Sequence, residues 1–201
     1  GPRLTDPGGL MFRQKTDKRV AVFFAEGFEE VEAISVVDIL FRAGIPCDMV
    51  SITGELNVTS SREVTVVCNR SIADEGFDFD EYDMLVLPGG IPGTPNLAAN
   101  KTVTDTCVSF AKSGKKVAAI CAAPSVLASL GLLEGRKATA HAGFQDKLAG
   151  AEVLDTEVVV DGNITTSYGL GGAIPFALEL VRQLAGQAEA DRIQNAIAYR
   201  H

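Results

Sequence analysis

Short, unbroken apolar runs alternate along the chain with longer stretches in which apolar residues recur every three or four positions. Val20-Ala21-Val22-Phe23-Phe24 is β-branched and aromatic with no polar alternation, as a strand buried on both faces requires. Residues 29–43 follow as a helix, with Val31, Ile34, Val37 or Asp38, and Phe41 marking its turns and Gly44 as its stop. Residues 49–52 form a second strand, and residues 57–68 a short hairpin or excursion ending in Val64-Thr65-Val66-Val67. Met84-Leu85-Val86-Leu87 runs as a core strand straight into the turn Pro88-Gly89-Gly90, and a helix over 102–113 is stopped by Gly114. Lys116-Val117-Ala118-Ala119-Ile120 is the next strand, followed by Cys121 and a helix that Pro124 opens near its first turn. Residues 138–140 and 158–160 read as later strands, Asp161-Gly162-Asn163 as a hairpin turn, and 174–184 and 188–198 as closing helices.

Strands alternating with helices predict βαβ units with right-handed crossovers. The expected fold is one doubly wound α/β domain over residues 19–201, a mostly parallel sheet with helices on both faces. Residues 1–18 read as an N-terminal extension, polar and broken by Pro2, Pro7, Gly8 and Gly9, without the apolar core of a secretory signal. Gly1-Pro2 matches the scar of a site-specific protease, and Met11 is the expected natural start.

Composition narrows the function. Hydrophobic residues make up 46% and charged ones 22% of 201, globular values. A net charge of −8 and a pI near 4.8 repel phosphate backbones, and three Tyr without any Trp offer few stacking platforms, so no nucleic-acid partner is expected. No window reaches the roughly 18–20 continuous apolar residues that cross a bilayer, so no membrane role is expected. Cys47, Cys68, Cys107 and Cys121 stand singly, without a C-x-x-C pair, which fits free thiols in a reducing cytoplasm. Two histidines, one of them the terminal His201, argue against a metal site.

Chemistry concentrates at strand ends. Ala119-Ile120-Cys121-Ala122-Ala123-Pro124 ends a strand, presents one nucleophile and begins a helix, the geometry of a nucleophile elbow with Cys in place of Ser. Unpaired N–H groups at the helix start favour a thiolate. A free Cys is otherwise usually a small buried hydrophobe, which is the reading for Cys107, on one helix face with Val103 and Phe110. Gly89 and Gly90, directly after a core strand, leave backbone N–H groups room to approach an oxyanion. Glu29, Glu30 and Glu32 begin the first helix, where carboxylates suit the dipole; Glu32 points away from Glu30, toward the carboxyl edge of the sheet. His141, after the strand that ends at Ala140, is the one histidine inside the fold; a lone histidine is more often structural than catalytic.

Together these residues resemble the ThiJ/PfpI superfamily and, within it, the parkinsonism-linked DJ-one branch and its bacterial relatives. The resemblance rests on Ala25-Glu26-Gly27-Phe28-Glu29-Glu30-Val31-Glu32, Val37-Asp38-Ile39-Leu40-Phe41-Arg42-Ala43-Gly44, Leu85-Val86-Leu87-Pro88-Gly89-Gly90, Ala119-Ile120-Cys121-Ala122-Ala123-Pro124, Thr139-Ala140-His141 and Thr166-Ser167, in family order. It implies a flavodoxin-like α/β sandwich, a homodimer, and no cofactor. It also implies Cys121 as the reactive cysteine, Glu32 as the glutamate bonded to its sulfur, and His141 as the histidine near the pocket. Gly89, Gly90 and Ala122 match the oxyanion-type backbone donors, and Arg42 and Arg62 the arginines near the site and dimer contact. Ala123 stands where many relatives carry Gly, and no Pro follows His141. Cys68 lies near a peripheral cysteine of the family and receives no role.

Two functions follow from the resemblance. One is a cofactor-independent glyoxalase or deglycase, in which the Cys121 thiolate attacks methylglyoxal, glyoxal or their glycated adducts while Glu32 carries protons and His141 assists. The other is a non-enzymatic oxidative-stress sensor or redox-regulated chaperone, in which Cys121 becomes a sulfinate that Glu32 stabilises. A protease or amidase ranks third, because such relatives place His directly after the Cys, and Ala122 stands there.

Overall fold

The computed structural model describes residues 11–201, so the Gly1-Pro2 scar and the proline-glycine stretch of the extension lie outside the described residues. Strands and helices run β1 (Val20–Phe24), α1 (Glu30–Arg42), β2 (Cys47–Ser51), β3 (Asn57–Thr59), β4 (Thr65–Val67), β5 (Arg70–Ser71), β6 (Met84–Leu87), α2 (Gly93–Ala99), α3 (Lys101–Ser113) and β7 (Lys116–Ile120). They continue with α4 (Pro124–Ser129), β8 (Lys137–Ala138), β9 (Glu152–Val153), β10 (Val158–Asp161), β11 (Ile164–Ser167), α5 (Ala173–Ala185) and α6 (Gln187–Ala196). Seven strands form one sheet in the order β10-β11-β7-β6-β1-β2-β5; β3 pairs with β4, and β8 with β9, in two small ribbons. Within the main sheet only β10 and β11 are antiparallel. This is the expected doubly wound, mostly parallel α/β fold.

Strand alternation divides the core. Val20, Val22 and Phe24 join Val86, Ala118 and Ile120 on one face, against α1, α5 and α6. Ala21, Phe23, Leu85, Leu87, Val117 and Ala119 point the other way, onto Leu97 of α2, Val103, Cys107 and Phe110 of α3, and Val126 and Leu127 of α4. Both faces are covered, so β1 and β6 are buried at every position, which explains their lack of polar alternation. Cys107 is fully buried, as its helix face predicts.

Local signals place most boundaries. Gly114 ends α3 in the left-handed conformation, Pro124 sits in the first turn of α4, and the turn at Gly162 joins β10 to β11. The inner face of α1 differs from its apolar spacing. Ala33, Val36 and Leu40 are fully buried, whereas Val31 is 43% exposed and Ile34, Val37 and Phe41 are only partly covered. The helix carries two apolar stripes, and α5 and the sheet select the less conspicuous one.

Residues 11–18 belong to the packed structure rather than standing apart from it. Lys15 N–H donates to Gly44 O at 2.8 Å, Lys15 Nζ reaches Glu189 at 3.1 Å, and the Phe12 ring lies 5.4 Å from Phe41. No helix among the described residues is long and apolar enough to cross a membrane.

Candidate active site

β1 has β2 on one side and β6 on the other, so chain order reverses there and a crevice opens beyond the carboxyl ends of the strands. The loops after β1, β6, β7, β8 and β11 deliver Glu32, Gly89, Cys121, His141 and Gly169 to that edge.

Cys121 occupies the left-handed region, with φ 67°. For a residue with a side chain this costs about 1–3 kcal/mol and persists only where surrounding contacts enforce it. Two backbone hydrogen bonds do so: Cys121 N–H donates to Ser167 O at 2.9 Å, and His141 N–H donates to Cys121 O at 2.8 Å. The side chain is partly exposed, unlike the buried Cys68 and Cys107.

Glu32 lies in the first turn of α1, where its N–H donates to the Glu29 carboxylate at 2.8 Å. Its own carboxyl is 1% exposed. Oε1 accepts the Gly89 N–H at 2.9 Å; Oε2 is buried with no formed hydrogen bond, and the carboxyl interacts with the Cys121 sulfur. Burial lifts the Glu32 pKa to about 7, opposed by the Gly89 N–H and by the nearby Cys121 thiol. With Glu32 ionised, burial first and the neighbouring negative charge second push the Cys121 thiol up to about 12, against the Ala122 N–H, which favours the thiolate. The carboxyl therefore gives up its proton before the thiol does, and burial with the neighbouring carboxylate works against the thiolate expected at this turn. The expected help from the helix is small: α4 has six residues, and Pro124 in its first turn has no N–H to offer.

Gly89 is glycine for want of space. A Cβ there would lie 2.7 Å from Cys121 Cβ and 2.8 Å from Glu32 Oε1. Its N–H, expected to face an oxyanion, is instead committed to Glu32. Gly90, with φ 97°, packs so closely on the next loop that a Cβ would lie 2.5 Å from Glu29 N. The Ala122 N–H, expected to face an oxyanion, is aimed at the Cys121 sulfur.

His141 is exposed and caps the 3-10 turn Ala142–Lys147, Nδ1 accepting the Gly143 N–H at 3.1 Å. With Nδ1 accepting that N–H, the neutral ring carries its proton on Nε2. The position a Cβ on Gly169 would take is 3.7 Å from His141 Cδ2 and 3.8 Å from Cys121 Sγ, so ring and sulfur border one small space.

The arginines make local contacts. Arg42 ends α1, ten residues or roughly 15 Å of helix beyond Glu32, and pairs with Asp38 at 2.5 Å. Arg62 sits in the exposed β3–β4 turn and donates to Ser61 O at 3.3 Å. No group of three or more His, Cys, Asp or Glu among the described residues is arranged to hold a metal ion. The Ser167 carbonyl, Gly143 and Gly169 were not singled out from sequence. The run from Thr166-Ser167 to Gly169, Gly171 and Gly172 repeats the strand-then-glycine pattern of Leu87-Pro88-Gly89-Gly90 and was the available signal.

A model of the DJ-1/PfpI family matches residues 18–183. The chain belongs to this family. Protein dj-1beta of Drosophila melanogaster is 36% identical over 182 residues, covering 90% of this chain and 96% of that protein. A protein of Thermococcus kodakarensis named as a deglycase is 37% identical over 168 residues, covering 83% and 99%. Among solved DJ-1/PfpI structures, Drosophila DJ-1beta superposes with a TM-score of 0.86 at 34% identity, and oxidised Toxoplasma gondii DJ-1 with 0.85 at 35%; each spans 92% of this chain and 100% of its own.

Proposed function

We propose that the chain is a cofactor-independent glyoxalase or deglycase acting on small 1,2-dicarbonyl compounds or their adducts. The observation that carries this reading is a buried carboxyl, its pKa raised to about 7, against the sulfur of a strained elbow cysteine. A proton carrier works best when its pKa lies near the working pH. Cys121 sulfur adds to the aldehyde carbon, the carbonyl π pair moves to oxygen, and the thiol proton passes by way of the Glu32 carboxylate to that oxygen, which lies beside His141. Glu32 then removes the proton from the carbon bearing sulfur and returns it to the neighbouring carbonyl carbon, while the hydroxyl proton on the first carbon passes to the second oxygen, leaving a thioester of a 2-hydroxy acid. Water cleaves the thioester to a 2-hydroxy acid and restores the thiol, with no net oxidation. The deglycase name of the Thermococcus relative supports this class of substrate.

The test is lactate formation from methylglyoxal by the thiol-free protein. Turnover is expected in the wild type and absent in Cys121→Ala. Glu32→Gln keeps a donor and the shape but cannot cycle a proton, so turnover falls by roughly 10²–10⁴ while iodoacetamide still alkylates Cys121. Wild-type-like turnover in Glu32→Gln removes the proton-transfer role. No turnover in the wild type favours the redox sensor.

The same reading includes a cytoplasmic homodimer. Val31, Val64 and Ile174, each at least 37% exposed, line one apolar groove with Ile34 and Val66, and Arg42 sits at its edge. Sedimentation of Val31→Asp as a monomer beside a dimeric wild type is the expected result.

A further inference from the structure

We infer that position 169 sets the size limit on what reaches Cys121, glycine there being an open gate rather than only a turn residue. For the identity of the substrate this rests on the glyoxalase reading; for access to sulfur it does not. Gly169 has φ 149° and ψ −168°, and its carbonyl is fixed by the Gly172 N–H at 2.7 Å. A Cβ built on it would meet only two groups within 4 Å, Cys121 Sγ at 3.8 Å and His141 Cδ2 at 3.7 Å. A methyl at 169 therefore takes up the space between nucleophile and imidazole.

Other sides of Cys121 are lined by protein. Gly89 presses on Cys121 Cβ so closely that a Cβ there would be 2.7 Å away, the buried Glu32 carboxyl stands against the thiol, and the Ala122 N–H points at it. The gap that Gly169 leaves, between sulfur and imidazole, is the approach from which the reacting carbon enters in this proposal. With the new oxygen beside His141, the remaining substituents of that carbon lie along Gly169. The seat thus suits an unbranched α-oxoaldehyde, whose reacting carbon carries only hydrogen and one flat neighbour, and disfavours branched or aryl carbonyl compounds.

Thiol chemistry tests the gate without needing turnover. In Gly169→Ala, alkylation of Cys121 by iodoacetamide should slow about tenfold or more, while oxidation by hydrogen peroxide, a far smaller probe, stays within roughly twofold of wild type. His141→Ala opens the opposite wall without straining the backbone. There the rate ratio of N-benzylmaleimide to iodoacetamide should rise severalfold, and it decides the matter if Gly169→Ala does not fold. With turnover, Gly169→Ala should lower kcat/KM for methylglyoxal more than for glyoxal. Equal slowing of peroxide and iodoacetamide, or no slowing of either, overturns the gate, as does an unchanged ratio in His141→Ala. Absent wild-type turnover removes the glyoxalase reading alone, since the thiol ratios still judge the gate.

Discussion

Two buried carboxylates, at opposite ends of the same sheet, show what hydrogen bonding decides. Asp48, in β2 near the amino end, accepts from Tyr82 Oη at 2.6 Å, Asn69 Nδ2 at 2.7 Å and Arg19 Nε at 3.2 Å. Both of its oxygens are engaged, and fully buried Tyr82 is held as a phenol by burial and then by that carboxylate. Glu32, at the carboxyl end, has one oxygen bonded to Gly89 and the other left without a formed hydrogen bond, next to sulfur. A satisfied buried acid fastens elements together. An under-satisfied one keeps a proton whose position can change.

The contrast breaks most sharply at Gly89. Gly89→Ala forces a methyl between Glu32 and Cys121, and a displacement of about 1 Å costs on the order of 10²-fold in turnover, read as kcat with methylglyoxal. The Asp48 end should not respond. Asp48→Ala, conversely, leaves Arg19 and the Tyr82 hydroxyl without their acceptor. Urea unfolding should show a loss of about 3 kcal/mol, while Cys121 alkylation proceeds at the wild-type rate. A parallel drop in alkylation would mean that the two ends are coupled.

Glu32 also predicts a pH dependence. Folded Glu32 holds its proton to about pH 7 and the unfolded chain releases it near 4.5, so between these values the folded state binds more protons. Raising the pH through that window lowers stability, by on the order of 3 kcal/mol once above it. Glu32→Gln removes the titration, so its Tm should exceed that of the wild type at pH 8 and the two should converge near pH 4.5. Equal slopes would show that the burial cost is relieved elsewhere. The smallest effect belongs to the segment before β1: Phe12→Ala loses the ring contact with Phe41 and should cost about 1 kcal/mol in urea, without a change at either carboxylate.

Much of this was legible in the chain because its signals are local. Apolar runs, the elbow at Cys121 and the glycine pair after β6 each encode their geometry within a few residues. What escaped depends on partners distant in sequence. The inner face of α1 was settled by α5, and α2 was missed because Pro92, Gly93 and Pro95 give its start the composition of a loop. β11 carries Thr165, Thr166 and Ser167 where buried strands usually have Val or Ile. The space shared by Cys121, His141 and Gly169 arises only where three separate loops meet.

The left-handed backbone at Cys121, stitched to Ser167 on one side and His141 on the other, has a mechanical consequence. The nucleophile is a stiff post. When a group bonds to its sulfur, the post cannot lean away, so accommodation falls to its surroundings, and Gly89, Gly90 and Gly169 are the backbone segments with least side-chain bulk to move. Room at this site therefore depends on the loops around the reacting atom, and a Cβ added at Gly89 or Gly169 would press directly on Cys121.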